Sequence, residues 1–295
     1  MNNFIYWLQY MLIVIFQKIL LIFPERSRFR FAEWFAMLGY HLIKKRRIIA
    51  LENLKLAFPD MPEAQRIEIA KRSYKIVAKS FLSSLWYHEY FDDPNNVKIV
   101  NKDLAISAYN KGKGVIGATM HMGNQDMTAR AMHEYKFAAV AKRIKNPYLN
   151  RFITEDREKY LGIEIIQKNK YIARTLIELL KKGYIIGLLS DQRDKGTIID
   201  FFGRTTKAPT GAISMALKFD VPVLFAYTLL NDDNTCTIII QEELKLSKTG
   251  NFKEDVHTNT QMLIHKMEDV IRKYPEQWMW FHDRWDIYRT KYHKK

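Results

Sequence analysis

The sequence predicts an α/β fold in which helices flank a mixed, mostly parallel β-sheet. After residue 96, short apolar runs alternate with longer segments whose apolar residues recur at helical spacing, a pattern typical of such folds. The chain has 295 residues, which is enough to bury a large core. Its content of 47% hydrophobic residues excludes an intrinsically disordered protein.

The first predicted element is an apolar helix over residues 4–23 that carries one cation, Lys18. Its length suits a membrane-spanning helix, which needs about 20 residues. The cations that follow from Arg26 onward predict a cytoplasmic location for the end of this helix. The segment lacks the basic start and the small-residue cleavage site of a signal peptide. We therefore expect a membrane anchor over residues 1–24 that spans the bilayer or lies in its interface; a buried core helix is the alternative.

Helical patterns continue to the middle of the chain. Apolar residues recur at helical spacing over residues 30–40, 43–58 and 62–86, and the last of these segments is amphipathic. A cluster of turn-forming residues then follows at 92–96. We therefore expect a helical segment over residues 25–95 and a separate α/β core over residues 96–295.

Within this core, five apolar runs are predicted to be strands and five periodic segments to be helices. The predicted strands are residues 115–120, 137–141, 185–190, 223–228 and 237–241. The predicted helices are residues 126–135, 147–161, 171–182, 208–219 and 254–274. In open α/β sheets, ligands bind beyond the carboxyl ends of the strands, so the residues that follow each strand are candidates for a site.

A histidine and an aspartate follow the first of these strands. The segment 114–126 reads GVIGATMHMGNQD, which places His121 in a turn and Asp126 in the first turn of a helix capped by Asn124. We expect the Asp126 carboxylate to hold the His121 imidazole. Such a pair can remove a proton from a hydroxyl, which acyl transfer to an alcohol requires. On this spacing alone, a hydrogen-bonded structural histidine is the alternative.

The chain resembles the lysophospholipid acyltransferase superfamily, whose first motif is His-x4-Asp/Glu, and within it the bacterial lipid A secondary acyltransferases. The resemblance covers about residues 44–285, and its separate stretches follow the order of that family. They are residues 45–59 (KRRIIALENLKLAFP), Asn146-Pro147 with Arg157 and Gly162, Lys182-Gly183 with Asp191-Gln192, residues 201–203 and 208–211, and residues 275–285 (PEQWMWFHDRW).

This resemblance implies an O-acyltransferase of lipopolysaccharide biosynthesis. Its donor would be acyl carrier protein, and its acceptor a hydroxyl on a Kdo-linked lipid A precursor. The catalytic core would face the cytoplasm from the bacterial inner membrane, without a cofactor. Acylation of a lysophospholipid or another glycolipid is the alternative activity, and a basic membrane-binding protein without activity is the alternative outside enzymes.

The resemblance also assigns Arg157 and Asp191 to the site. From the residues alone, Arg157 could instead pair with a neighbouring carboxylate on the surface, and Asp191 could cap a turn. The oxyanion of acyl transfer needs nearby donors, for which the backbone amides of Gly123 and Asn124 and the Arg157 side chain are candidates.

Other residues are weighed on their chemistry. Arg204 and Lys207 could contact an anionic head group or simply be solvated. Cys236 directly precedes the strand predicted at residues 237–241 and has no partner signature, so we expect no covalent acyl-enzyme. We expect no metal either, because His121 and Asp126 lack the further ligands of a zinc site. The aromatic residues of 275–285 are expected to pack in the core or at a membrane interface.

The net charge of +15 predicts an anionic partner. Nucleic acid, anionic lipid and an acidic carrier protein all satisfy this condition. The sequence contains no zinc-finger spacing or RNA-binding signature, which disfavours nucleic acid. Membrane lipids and an acidic carrier protein are therefore the expected partners.

Overall fold

The computed structural model describes residues 2–292 and confirms the α/β fold with a mostly parallel sheet. Pro24 and Pro62 stand directly before the second and fourth helices, where a residue without a backbone N–H is tolerated at a helix start. The first four helices are α1 Asn2–Leu21, α2 Glu25–Leu42, α3 Lys44–Ala57 and α4 Glu63–Ser83.

The remaining elements alternate as expected. The ten strands and helices predicted for the core are all present, although several bounds differ. In chain order, the elements are α5 Tyr87–Tyr90, β1 Val97–Val100, α6 Lys102–Tyr109, β2 Val115–Thr119, α7 Met127–Arg130, β3 Phe137–Ala141, α8 Pro147–Leu161, β4 Glu164–Gln167, α9 Ile172–Lys181, β5 Ile185–Leu189, β6 Thr197–Phe201, β7 Arg204–Ala208, α10 Gly211–Phe219, β8 Val223–Leu230, β9 Cys236–Glu243, α11 Phe252–Lys273 and α12 Ile287–Tyr292.

The main sheet has the strand order β1-β9-β8-β2-β5-β3-β4. All neighbouring pairs are parallel except β8 and β9, which are antiparallel. Strands β6 and β7 form a separate antiparallel hairpin. The central position of β2 and β5 matters for function, because their carboxyl ends lie side by side.

Both faces of the main sheet are covered. Successive side chains of a strand point to opposite faces, so β2 sends Ile116 and Ala118 to one buried cluster and Val115 to another. The first cluster includes residues of α3, α4, α10 and α11, and the second includes residues of α6, α7 and α8. Strands covered on both faces become continuous apolar runs, which explains why they could be predicted from the sequence.

The helix predicted over residues 126–135 is shorter than expected. Regular helix ends at Arg130, and the following amides of Met132 and Tyr135 bond to carbonyls three residues back. The His133 ring nitrogen Nδ1 also lies 2.9 Å from the Arg130 carbonyl oxygen. These tighter turns replace the hydrogen bonds of a continuous α-helix. Asn124 does not cap this helix, because its side chain bonds elsewhere.

The N-terminal helix is apolar, as predicted. Within the described residues, the stretch Asn3–Leu21 is the one helix long and apolar enough to cross a membrane, and only 6% of it is buried inside the protein. Length and composition alone are weak grounds for membrane insertion, because core helices and signal sequences share them. The division of the chain at residues 24 and 95 stays a prediction.

Candidate active site

His121 and Asp191 meet at the carboxyl edge of the sheet. Each follows a central strand by two residues, and the last residues of those strands, Thr119 and Leu189, are register partners. The ring nitrogen Nδ1 of His121 lies 2.8 Å from Oδ1 of Asp191. A carboxylate at Nδ1 leaves Nε2 as the ring nitrogen that can accept a proton.

The Asp191 carboxylate is buried and takes part in three hydrogen bonds, including the one to the His121 ring. Its second oxygen, Oδ2, accepts from the Trp278 indole N–H at 2.8 Å and from the His121 backbone amide at 3.1 Å. Burial by itself would raise the pKa of this carboxyl, but the His121 imidazole and these donors lower it to about 2. The site therefore holds a fixed negative charge behind the imidazole.

Asp126 does not make the expected contact with His121. Its Oδ2 accepts from Arg157 Nε at 2.9 Å and lies 2.8 Å from Nη2. Asp126 stands directly before α7, which contacts α8, the helix that carries Arg157. Asp191 instead follows β5, the strand next to β2, and reaches the ring from there. Burial disfavours the charged form of Arg157, but the negative charge of Asp126 outweighs the effect of burial. The pKa of the guanidinium is therefore raised. All of these side chains except Asp191 line the same pocket.

Residues 275–285, which we call the C-terminal block, hold the turn at His121 in place. Met122 pairs with Trp278 as an isolated antiparallel β-bridge, and the Met279 amide donates to the His121 carbonyl at 3.1 Å. The Gly123 amide donates to the Gln277 carbonyl at 2.9 Å. The Gly123 amide is therefore already occupied, which disagrees with its expected role as an oxyanion donor.

A glycine is needed at position 123. Its φ is +53°, and an added Cβ would lie 2.4 Å from the Thr228 carbonyl oxygen. The Gly123 carbonyl accepts from the Ser80 hydroxyl at 2.8 Å. Next to it, the side chain of Asn124 is buried. Its nitrogen Nδ2 donates to Ser83 Oγ at 3.1 Å, and its oxygen Oδ1 accepts from the Tyr87 hydroxyl. The helical segment and the core thus fix this turn together.

Residues of the C-terminal block support the site in ways that the sequence did not reveal. Trp278 was expected to provide packing alone, yet its indole N–H bonds to Asp191. A buried indole usually finds a hydrogen-bond partner, which is the available signal. His282 Nε2 accepts from the Arg193 amide at 3.2 Å, just after Asp191. Arg284 is fully buried and donates to the Lys207 carbonyl at 2.6 Å.

Arg204 and Lys207 lie away from His121. Both are exposed on β7, and neither is among the residues that line the pocket beside His121. Arg204 Nε donates to the Leu56 carbonyl at 3.3 Å, which ties β7 to α3. Contact of these two cations with an anionic head group stays a prediction, with solvation as the alternative.

An apolar pocket of about 480 Å³ extends from His121 along one face of the sheet. Small residues at paired positions create it, because Gly117 of β2 pairs with Gly187 of β5, which pairs in turn with Ala139 of β3. One row across the sheet lines the pocket, namely Leu224, Gly117, Gly187, Ala139 and Ile165. Because Gly117 and Gly187 have no side chains, a trough is left between the sheet and its helices.

A second cluster of polar side chains lies outside this pocket. Ligand atoms of Asp200, His265 and Glu268 lie within 4.8 Å of one another, between β6 and α11. Burial raises the pKa of Glu268. The three side chains could together hold a cation, but they are not among those that line the His121 pocket.

Comparisons with known proteins identify the family of this chain. Residues 1–286 match the family model described as bacterial lipid A biosynthesis acyltransferase. The chain is 20% identical to a lipid A biosynthesis acyltransferase of Haemophilus influenzae, over 90% of this chain and 84% of that protein.

Two mycobacterial relatives match over shorter lengths. The chain is 27% identical to a phosphatidylinositol mannoside acyltransferase of Mycolicibacterium smegmatis, over 63% of this chain and 62% of that protein. A phosphatidylinositol mannoside acyltransferase of Mycobacterium tuberculosis is also 27% identical, over 62% and 57% respectively. The matches thus span less than two thirds of these mycobacterial proteins.

Proposed function

Because the chain belongs to the bacterial lipid A biosynthesis acyltransferase family, we propose that it transfers a fatty acyl group from acyl carrier protein to a hydroxyl of a Kdo-linked lipid A precursor. The observation that carries this proposal is the hydrogen-bonded His121–Asp191 pair beside an apolar pocket. A base next to an acyl-sized cavity is what transfer of a fatty chain to an alcohol requires.

His121 is the general base in this mechanism. Nε2 takes the proton of the acceptor hydroxyl while that oxygen attacks the thioester carbonyl. The resulting tetrahedral intermediate collapses to the new ester, and the C–S bond to the carrier breaks. The imidazolium then returns its proton to the departing thiolate. Asp191 acts through the ring, because its charge stabilises the imidazolium and its hydrogen bond fixes the orientation of the ring.

Arg157 is the proposed donor to the oxyanion. It lines the pocket with His121, and Asp126 bonds to both Nε and Nη2 of its guanidinium. A cation positioned before the reaction stabilises charge that develops in the transition state. Asp126 is then a positioning residue for Arg157. Cys236 is buried, and burial raises the pKa of its thiol, which supports direct transfer without a cysteine acyl-enzyme.

The trough beside His121 is the proposed site of the acyl chain. Its lining is mostly apolar, and alternate residues of β2 (Val115, Gly117 and Thr119) lead away from His121. At about 3.3 Å per residue, Gly117 lies about 13 Å from His121 along the strand. A chain that enters from the carboxyl edge would therefore run between the sheet and the helices α7 and α8.

The donor and the location are proposed on charge. The net charge of +15 supports an acidic carrier protein and an anionic membrane lipid as partners. The apolar α1 and the cations that follow it support a location at the bacterial inner membrane, with the core on the side of the anionic cytoplasmic leaflet. A phosphatidylinositol mannoside or another glycolipid is the second candidate acceptor, because relatives of that name share 27% identity with the chain.

A competition assay tests the acceptor. The purified full-length chain receives one labelled acyl carrier protein donor and equal concentrations of a Kdo-linked lipid A precursor, a phosphatidylinositol mannoside and lysophosphatidic acid. We expect the lipid A precursor to be labelled at the highest initial rate. His121→Ala is the control, and its rate should fall by about 10²–10⁴-fold. Faster labelling of either other acceptor, with the lipid A precursor unlabelled, would reject the proposed acceptor.

A further inference from the structure

The start of α1 is held against α8 by part-buried hydrogen bonds. The Asn146 side-chain amide donates to the Tyr6 carbonyl at 2.8 Å and to Gln9 Oε1 at 3.0 Å. The same side chain caps α8, because its oxygen accepts from the Tyr148 amide at 3.0 Å. The Tyr10 ring stacks on the Tyr148 ring with centroids 6.1 Å apart. These contacts hold the first half of α1 against the α/β core.

The second half of α1 is hydrogen-bonded to the helical segment, residues 25–95. The Gln17 amide donates to the Leu85 carbonyl at 2.7 Å. Arg28 is buried, donates to the Leu20 carbonyl at 3.1 Å and pairs with Glu89. The contacts from residue 6 to residue 20 cover about 21 Å of helix, at 1.5 Å per residue. Most of α1 therefore lies lengthwise on the rest of the protein.

This arrangement is incompatible with α1 crossing a bilayer. The hydrocarbon core is about 30 Å thick, so nearly the whole helix would have to lie inside it. The helix cap at Asn146, beside Tyr6, would then lie within the hydrocarbon core, and the Arg28–Glu89 ion pair, beside Leu20, would lie near its edge. Polar groups and charges in that position are costly.

The outward side of α1 continues into α2 as one apolar surface. Phe16 of α1 packs on Phe31 of α2 with centroids 5.8 Å apart, and Phe31 packs on Trp34 at 5.7 Å. Exposed apolar side chains recur every three or four residues on both helices, with two more in the turn that joins them. We call this set the apolar face: Phe4, Leu8, Leu12, Ile15, Ile19, Ile22, Phe23, Trp34, Phe35, Leu38 and Leu42.

The His121 pocket opens beside this apolar face. Phe81 is 69% exposed and also lines the pocket. It precedes by four residues Leu85, whose carbonyl bonds to α1. On the other side, α8 packs on α1 through Tyr148 and lines the pocket with Ile153. The pocket is thus lined by α8, which packs on α1, and by the exposed Phe81, one turn before the residue that binds α1.

Exposed cations accompany the apolar face. Arg26 and Arg30 lie in the first turns of α2, and Lys142, Arg143 and Lys145 precede the Asn146 that binds α1. Basic residues next to an apolar surface are attracted to anionic lipid head groups. An extended apolar surface marks a contact with protein or membrane, and the basic residues beside this one favour an anionic membrane.

We propose that the protein lies on one leaflet of an anionic bilayer through the apolar face, without spanning it, and so presents the pocket to lipids in that leaflet. This inference rests on the proposed function only in taking the membrane as the source of the acceptor. An acceptor with two or more acyl chains could then reach His121 without leaving the leaflet. The tests below measure binding and topology, so they remain informative if acyl transfer is not found.

Vesicle binding tests the surface. Full-length protein is mixed with vesicles of phosphatidylcholine and phosphatidylglycerol, or of phosphatidylcholine alone. Removing two exposed aromatic rings with Trp34→Ser/Phe35→Ser should weaken binding to the anionic vesicles by about tenfold or more. Phe252→Ser is the matched control, because Phe252 is half-exposed at the start of α11, away from the apolar face. Unchanged binding in the double variant would overturn the proposed surface.

Labelling of the helix ends tests the topology. Asn3→Cys and Arg26→Cys place thiols at the two ends of α1, both exposed, while the native Cys236 is buried. A membrane-impermeant maleimide added outside sealed vesicles carrying bound protein should label both positions equally. Labelling of only one end would show that α1 spans the bilayer and would overturn the inference. Wild-type protein that binds neither vesicle would also overturn it and would assign the apolar face to a protein partner.

Discussion

The clearest prediction concerns Asp191, which holds the imidazole in place of the expected Asp126. The change Asp191→Asn keeps the size of the side chain and removes its charge. In the folded protein, the pKa of this carboxyl falls from 3.8 to about 2, which corresponds to roughly 2–3 kcal/mol of preference for the ionised form. A hydrogen bond to a charged group typically contributes about 1.5–3 kcal/mol, and the contact of Asp191 with the ring is of this kind once the imidazolium forms.

Loss of 2–3 kcal/mol from the transition state lowers kcat by roughly 30- to 150-fold. The Michaelis constant for the acyl donor should change little, because Asp191 is 1% exposed and lies behind the ring. Asp191→Glu, which keeps the charge on a longer arm, should recover part of the rate. Asp126→Asn should act differently, since it frees Arg157 and leaves the His121–Asp191 contact intact.

Steady-state kinetics with a labelled acyl carrier protein donor measure both constants for the purified full-length variants. Thermal unfolding of each variant serves as the control for folding. The reasoning would be refuted if Asp191→Asn kept wild-type kcat while Asp126→Asn lost activity. That outcome would return the role of ring partner to Asp126, as the spacing of the motif alone suggested.

Three further changes test other parts of the structure. Gly117→Val should shift product chain lengths downward, because its side chain would enter the acyl trough about 13 Å from His121 at 3.3 Å per residue, whereas Gly211→Val, with open space around it, should not. Burial raises the pKa of Asp156 to about 6 from 3.8, so its ionisation disfavours the folded state increasingly from pH 4 to pH 6 and fully above that. Asp156→Asn should therefore raise the free energy of unfolding by about 1–3 kcal/mol at pH 7, and by nearly nothing at pH 3.5, in urea titrations. Iodoacetamide at pH 8 should leave the folded protein unlabelled and active, because Cys236 is buried and burial raises the pKa of its thiol; loss of activity on labelling would contradict direct transfer.

The elements of the core followed from local patterns. Strand β3 and helix α8 have the predicted bounds, and His121 and Asp191 both follow central strands as expected. Apolar periodicity carries this information because each buried strand or helix must match its own period. The short strands β1 and β4 and the β6–β7 hairpin were not predicted, since segments of four or five residues with few buried positions leave little periodic signal.

The partners within the site depended on strand order. The motif spacing showed that Asp126 lies near His121 along the chain. Such a spacing allows the two side chains to touch but does not establish that they do. Only the tertiary structure places β5 directly beside β2, although β3 and β4 lie between them in the chain, and so brings Asp191 to the ring.

The same reason applies to Trp278, which lies far along the chain from His121. A β-bridge to Met122 places it beside His121, where its indole N–H bonds to Asp191. The sequence by itself determined the fold class, the position of the histidine at a strand end and the apolar N-terminal helix, because these depend on local periodicity. Tertiary structure decided which carboxylate holds His121, which cation Asp126 binds and how α1 lies on the protein, because these contacts join segments that only packing brings together.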